Sequence, residues 1–243
     1  MLLSAQPAAE EKKTRFYLLE QFFLKAGTQM PRINEFMSKS LPALEKIHPG
    51  PKIFLEALVA AHMPQFAAIF SYRSVEEIFS ERRAGLANPE LMKGFEDWES
   101  GPEPPYEHYS ASLLEATDYS PEITPPATPP KSPRIFELRT YHSPTWRQLR
   151  ALHERFAGPE LRIFHRVGVH PVLYSTMIMG QNMPNLTYLI PFENLAAREK
   201  AWAAFGADPE WVKVRKESIE KHGQVSSVIQ MSIYRATAYS PVR

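Results

Sequence analysis

The sequence predicts an α+β protein made of two tandem ferredoxin-like (βαββαβ) units with their sheets packed face to face. Three observations carry this. First, the chain writes one stretch twice, as Met63–Leu91 (MPQFAAIFSYRSVEEIFSERRAGLANPEL) and as Met183–Trp211 (MPNLTYLIPFENLAAREKAWAAFGADPEW). Met-Pro and the Asn/Asp-Pro-Glu triplet each recur 120 positions on. Second, strand and helix signals fall in the order β-α-β-β-α-β in both halves. Third, a run with six prolines in thirteen residues, Pro121 to Pro133, separates the copies. The expected division is a tail at 1–13, a first unit at 14–120, a linker at 121–133 and a second unit at 134–243.

In the first half, Arg15 to Leu24 (RFYLLEQFFL) is aromatic-rich and short enough for a strand. Gly27 breaks it, and Thr28 is placed to cap a helix carrying Ile33, Phe36, Met37, Leu41, Leu44 and Ile47 at helical spacing. Pro42 lacks the N–H for the ladder, so a kink or split is expected there. Lys52–Ala61 and Gln65–Tyr72 form a hairpin through Met63–Pro64. Ser74 and Glu77 make a capping box. The helix it opens ends near Gly85, and Asn88–Pro89 restarts it, Asn as the cap and Pro at the first helical position. Tyr106–Tyr119 closes the unit.

The proline run is an extended, stiff spacer of about 3.1 Å per residue. Arg134–His142 then repeats the first strand. Ser143–Pro144 or Thr145 starts a helix carrying Trp146, Leu149, Leu152, Phe156, Leu161 and Phe164. Val172–Met179 and Leu186–Phe192 form the second hairpin, Asn194 and Asp208–Pro209 open two helices, and Val225–Tyr239 closes. The run Arg198–Glu199–Lys200 reads as an exposed helix face, and the four tryptophans read as packing residues.

RIFELRTY at 134–141, G-x-N-x-P-N-L-T-Y from Gly180 to Tyr188, and W-x-x-F-x-x-D-P-E-W from Trp202 to Trp211 resemble the NIPSNAP family in its tandem-domain bacterial form. The second half covers the pattern nearly end to end. The first half keeps the turn and the Asn-Pro-Glu restart, lacks Glu-x-Arg-x-Tyr, and has Leu91 in place of the last tryptophan. The resemblance implies the dimeric α+β barrel superfamily and names no reaction. Physics leads to the same architecture. A βαββαβ unit puts both helices on one face of its sheet, and a bare apolar face of several hundred Å² is not left in water. A second unit on a tether covers it. Pairing within one chain is expected, although the linker also permits an obligate homo-oligomer.

Composition excludes several classes. Apolar content of 44% and charged content of 23% are those of a soluble globular protein. A net charge of +1 gives no footprint for nucleic acid or an anionic membrane. The lack of cysteine excludes disulfides, thiolate metal sites and a cysteine nucleophile, and leaves the compartment open, cytoplasmic or exported. No run reaches the roughly 18 apolar residues of a membrane span. MLLSAQPAAEEKK is read as a tail or as the stump of a secretion signal lacking its basic start. P-loop, G-x-G-x-x-G and G-x-S-x-G motifs are absent.

Side chains alternate along RIFELRTY. Phe136 and Leu138 are expected to meet the helices, and Ile135, Glu137, Arg139 and Tyr141 to look into the barrel. There the carboxylate, guanidinium and phenol could hold a small polar ligand between the two sheets. An internal Glu137–Arg139 salt bridge is the plainer alternative. Glu20 matches Arg139 in the repeat, so the two are expected to approach across the interface between halves. His108 completes the ligand-binding candidates. No histidine pair has metal-ligand spacing. Superfamily analogy keeps haem open through His108, His170 or His222, against an expectation of no cofactor. Function reads first as a barrel of unspecified activity binding a small molecule. The alternatives are a monooxygenase, cofactor-free or haem-dependent, on an aromatic or polyketide-like substrate, and a protein-interaction module docking through its outer helices.

Overall fold

Eight antiparallel strands close into one barrel within the single chain. A computed structural model describes residues 13–128 and 130–243. The reading of the N-terminal tail therefore falls almost wholly outside the described residues. The first half contributes β1 (Phe16–Phe23), α1 (Gln29–Ile47), β2 (Lys52–Val59), β3 (Gln65–Tyr72), α2 (Val75–Leu86), α3 (Pro89–Glu99) and β4 (His108–Ala116). The second contributes β5 (Ile135–His142), α4 (Trp146–Arg155), α5 (Leu161–Arg166), β6 (Leu173–Met179), β7 (Asn185–Phe192), α6 (Leu195–Ala207), α7 (Pro209–His222) and β8 (Val228–Ala236). Around the barrel the order is β1-β3-β2-β8-β5-β7-β6-β4. Each half is thus a four-stranded ferredoxin-like sheet, and two seams, β2 with β8 and β4 with β6, join them.

Local chemistry sets the element ends. Ser74, Asn88, Thr145 and Asn194 each accept a backbone N–H two or three residues into the following helix, and Asp208 accepts two. Glu77 reaches back to the N–H of Arg73, one residue earlier than a strict capping box. Thr28 makes no cap bond; its hydroxyl goes to Glu103. Both Met-Pro bonds, 63–64 and 183–184, are cis. α1 runs unbroken through Pro42, against expectation. Ile33, Phe36, Met37 and Ala43 are buried on one stripe of that helix, and this packing outweighs the roughly 3 kcal/mol that an internal proline costs. The linker is no free spacer: Ile123 is buried in the barrel core, and Glu122 accepts both the N–H (3.0 Å) and the hydroxyl (2.7 Å) of Thr14.

Three apolar layers result. Toward the linker the lumen is filled from both halves by side chains including Tyr17, Leu19, Ile53, Phe136, Leu138 and Tyr234. Helices cover the outer face of each sheet over its own core. The expected alternation on β5 is present, but the faces are exchanged. Phe136 and Leu138 point into the lumen, while Ile135, Glu137, Arg139 and Tyr141 lie beneath the helices. The reason is partner supply: α6 brings Arg198 and the Trp202 indole onto Glu137, whereas the sheet-to-sheet centre offers mainly hydrocarbon. Trp146 is exposed at the start of α4 rather than packed.

Candidate functional site

The outer face of β5 holds an ionic network. Glu137 is wholly buried and accepts from Arg139 Nη1 (2.6 Å), Arg198 Nε (2.9 Å) and Trp202 Nε1 (2.8 Å). Arg139 donates through Nη2 to the Tyr141 hydroxyl (3.1 Å) and stacks its guanidinium over the Trp202 ring at 4.4 Å. The internal Glu137–Arg139 pair is therefore present, with a second arginine added. Arg198, expected on an exposed face, folds inward with its side chain 16% exposed, while its neighbour Glu199 stays in water.

The second part of the site comes from a fault in the helix that follows. Between α4 and α5 the chain makes one π turn, Phe156–Glu160. Pro159 has no N–H for the ladder, Gly158 adopts a non-helical backbone (φ −91°, ψ −116°), and the Leu161 N–H bonds back to Phe156. The wide turn carries Glu160 into the interior, 1% exposed, where Arg155 Nε donates to it at 2.7 Å. Burial pushes the Glu160 carboxyl up to about 7, against the pull of Arg155. Arg155 lies over the Trp211 ring at 5.0 Å.

These groups open on a cavity of about 130 Å³ between the sheet and α7, lined by Tyr141, Arg155, Glu160, Trp211, Ser226 and Ile229 among others. Behind it, the buried hydroxyls of Tyr174 and Tyr188 have no hydrogen-bond partner. Burial raises both phenols, so they stay protonated donors at neutral pH. The cavity lining itself holds two guanidiniums, Arg155 and Arg215, against one carboxyl, Glu160. The site thus carries an excess positive charge and favours an anionic oxygen.

Of the residues singled out from sequence, Glu137, Arg139 and Tyr141 come together, beneath the helices rather than in the lumen. Glu20 does not join them. It lies on the helix-covered face of the other sheet, half-buried, and accepts from the Tyr109 hydroxyl at 2.7 Å; burial raises its carboxyl. The expected Glu20–Arg139 approach is therefore overturned: each points away from the barrel interior that separates the two sheets. His108 is at the barrel rim, stacked on Phe23 at 4.3 Å and edge-on to His62 at 5.5 Å. His170 stacks on His165 at 5.1 Å. His222 ends α7.

Among the described residues no group of three or more His, Asp or Glu could hold a metal. The cavity beside Glu160 does not suit haem, being smaller than a porphyrin and lined by no histidine. His153 does line a wide groove, but both its ring nitrogens are engaged, by Tyr119 (2.8 Å) and Thr176 (2.9 Å). Sequence reading missed Arg155, Glu160, Arg198 and the polar role of Trp202. The Gly-Pro pair inside a helical run was the available signal for Glu160.

The NIPSNAP family model matches residues 136–241. A search of curated proteins found no match. Among solved structures, a proposed monooxygenase from Fusobacterium nucleatum subsp. nucleatum ATCC 25586 overlays 92% of this chain and 93% of its own, at 8% identity and TM-score 0.59. An anthrone oxidase-like protein overlays 93% of this chain and 92% of its own, at 14% identity and TM-score 0.57. A NIPSNAP-like domain protein from Burkholderia xenovorans is 24% identical over 44% of this chain and 89% of its own, at TM-score 0.38. The first two share the whole fold. Residues 136–241 are thus similar to the NIPSNAP family, and they form the second unit of a tandem α+β barrel.

Proposed function

We propose that this chain binds a compact phenolic or enolic molecule in the helix-covered cavity of its second half and exchanges a proton with it through Glu160. One observation carries the reading: a fully buried carboxyl, pushed by burial up to about 7, opens on a cavity beside a buried arginine. The volume of about 130 Å³ suits a single ring, since a dry cavity of about 150 Å³ takes benzene. Trp211 and Ile229 would pack the ring. Arg155 and the Tyr141 hydroxyl would hold its oxygen as the proton passes to the Glu160 carboxylate. Between the two sheets, where the sequence placed the ligand, side chains fill the end near the linker. A buried acid with a shifted titration beside a cavity also favours a binder or enzyme over a pure docking module.

The overlay of more than nine-tenths of the chain on a proposed monooxygenase and an anthrone oxidase-like protein supports a second reading. The ionised ligand would react with O₂ at a ring CH₂, one oxygen atom becoming a carbonyl and the other leaving as water, with the substrate supplying all the electrons. A tricyclic substrate is larger than the cavity, so this reading requires α7 to move.

The test uses 4-nitrophenol, whose colour reports its ionisation, with the full chain. Saturable binding with the bound dye ionised at lower pH than the free dye is expected, and Glu160→Gln should abolish that displacement. No saturable binding to the wild-type protein would refute the site. Oxygen uptake with anthrone, whose central ring carries the CH₂ this reaction needs, above that of Glu160→Gln, would separate the second reading from the first.

A further inference from the structure

The barrel has one end that side chains do not fill. There β1, β2, β5 and β6 finish and β3, β4, β7 and β8 begin. A cavity of about 190 Å³ opens at this mouth, with walls of Gln21, Ser110, Ser112, Thr140, Gln230 and Ser232. Its floor is apolar, from Leu19, Leu138 and Met177. No charged side chain lines it. It is thus the chemical opposite of the arginine-rich cavity beneath the helices.

The mouth is also built, on one side only. The turn after β6 folds over it as a lip bearing Gln181 and Asn182. Gly180 makes that possible: its φ is +156°, and a Cβ there would meet Met177 Sδ at 2.6 Å and Ser112 Oγ at 2.8 Å. The lip is pinned through the Asn182 carbonyl, which accepts from Asn185 Nδ2 (2.9 Å) and lies 2.8 Å from His142 Nδ1. Asn185 Oδ1 in turn accepts from the Thr187 hydroxyl at 3.0 Å. That commits the Thr187 proton, so Thr140 must donate in the 3.0 Å bond between the two threonines. The Thr140 oxygen is left as a fixed acceptor toward the cavity. In the first half the matching positions are Ala60, His62, Gln65 and Ala67, which cannot form this relay.

We propose that the barrel mouth is a second binding site, for an uncharged polyhydroxylated ring of five or six members. Amides and hydroxyls that both donate and accept match ligand hydroxyls, which do the same. The apolar floor matches the C–H face of such a ring, and the lack of charge leaves no reward for an ionic group. The volume admits one ring but not two. Gly180, Asn182, Asn185 and Thr187 of the G-x-N-x-P-N-L-T-Y stretch then have a function: they hold the lip and orient Thr140.

The experiment is ligand-observed saturation-transfer NMR on the full chain with D-ribose, D-glucose and myo-inositol, with glucose 6-phosphate as the charged control. At least one neutral probe should bind saturably and more tightly than the phosphate. Thr140→Val keeps the side-chain shape and removes the acceptor, and should weaken binding about fivefold. Ser112→Leu fills the cavity and should abolish binding. Glu160→Gln, at the other cavity, should leave it unchanged. The proposal fails if no neutral probe binds the wild-type protein, if the phosphate binds best, or if Thr140→Val binds as the wild type does. The threonine variant keeps the test sound should the leucine variant not fold.

Discussion

The two halves solve one packing problem with opposite chemistry. On the first sheet, Leu18 and Ile78 pack on an aromatic core where Phe36 and Trp98 stack at 4.7 Å and 1°. In the repeat these two positions become Glu137 and Arg198, a buried ion pair at 2.9 Å. Glu20 and Arg82 become Arg139 and Trp202, a guanidinium over an indole at 4.4 Å. The positions changed in pairs, and the frame did not. Hydrocarbon therefore closes this fold perfectly well, and the second half's polar network is not required by the architecture. Replacing a buried ionic set with apolar residues is often neutral or stabilising. The network, with the cavity it borders, is best accounted for by a task that the first half lacks.

The largest test of that contrast is Glu137→Leu, which gives β5 the first half's residue. Arg139, Arg198 and the Trp202 N–H all lose their acceptor, so about 3–5 kcal/mol of stability in urea unfolding should go. Glu137→Leu combined with Arg198→Ile restores the first-half pair and should recover at least ~2 kcal/mol of that loss, a coupling read from the double-mutant cycle. Additive losses would mean the two positions do not act as a pair, and the comparison would break.

Glu160 gives the next largest effect, and its sign is fixed by burial. The folded carboxyl keeps its proton up to about 7, well above the ordinary range, so between pH ~4.5 and 7 the folded state binds more protons than the unfolded chain. Stability must then fall as pH rises through that window, by about 3 kcal/mol from this group. Burial holds His153 and His170 below their usual value, which tilts the slope the other way. The clean measurement is thus the difference between wild type and Glu160→Gln, from denaturation midpoints at pH 5 to 8. A difference that does not change with pH would place Glu160 in a wetter setting than the π turn provides. Trp202→Phe follows in size: it removes the 2.8 Å bond to Glu137 while keeping the ring over Arg139, and about 1–3 kcal/mol is expected.

What could be read from the sequence was whatever local chemistry decides. The duplication, the strand order and the caps at Ser74, Asn88, Asn194 and Asp208 depend on residues a few positions apart. The facing of β5 was not local. Alternation groups Glu137, Arg139 and Tyr141 on one face, but which face is buried under helices depends on Arg198 and Trp202, about 60 residues away in the chain. Arg198 itself was hidden by its setting, since Glu199 and Lys200 beside it are exposed and the triplet looks like a solvated face. Glu160 was legible only in part: Gly158–Pro159 signals a break, but nothing nearby says the break turns a carboxyl inward.

The smallest effect is expected where the halves agree. Ser74 and Asn194 hold matching places in the repeat and do one job, accepting the N–H of Glu77 (3.2 Å) and Ala197 (2.9 Å) at the starts of α2 and α6. A cap needs only a short side chain with an oxygen at the right reach, so serine and asparagine are interchangeable there. Ser74→Ala and Asn194→Ala should each cost about 1 kcal/mol. They share no hydrogen-bond partner, so together they should cost the sum of the two within ~0.5 kcal/mol. If Asn194→Ala cost several times more than Ser74→Ala, α6 would be held mainly by its cap rather than by the grip of Arg198 and Trp202 on Glu137. The second half's network would then be a consequence of helix placement instead of its cause.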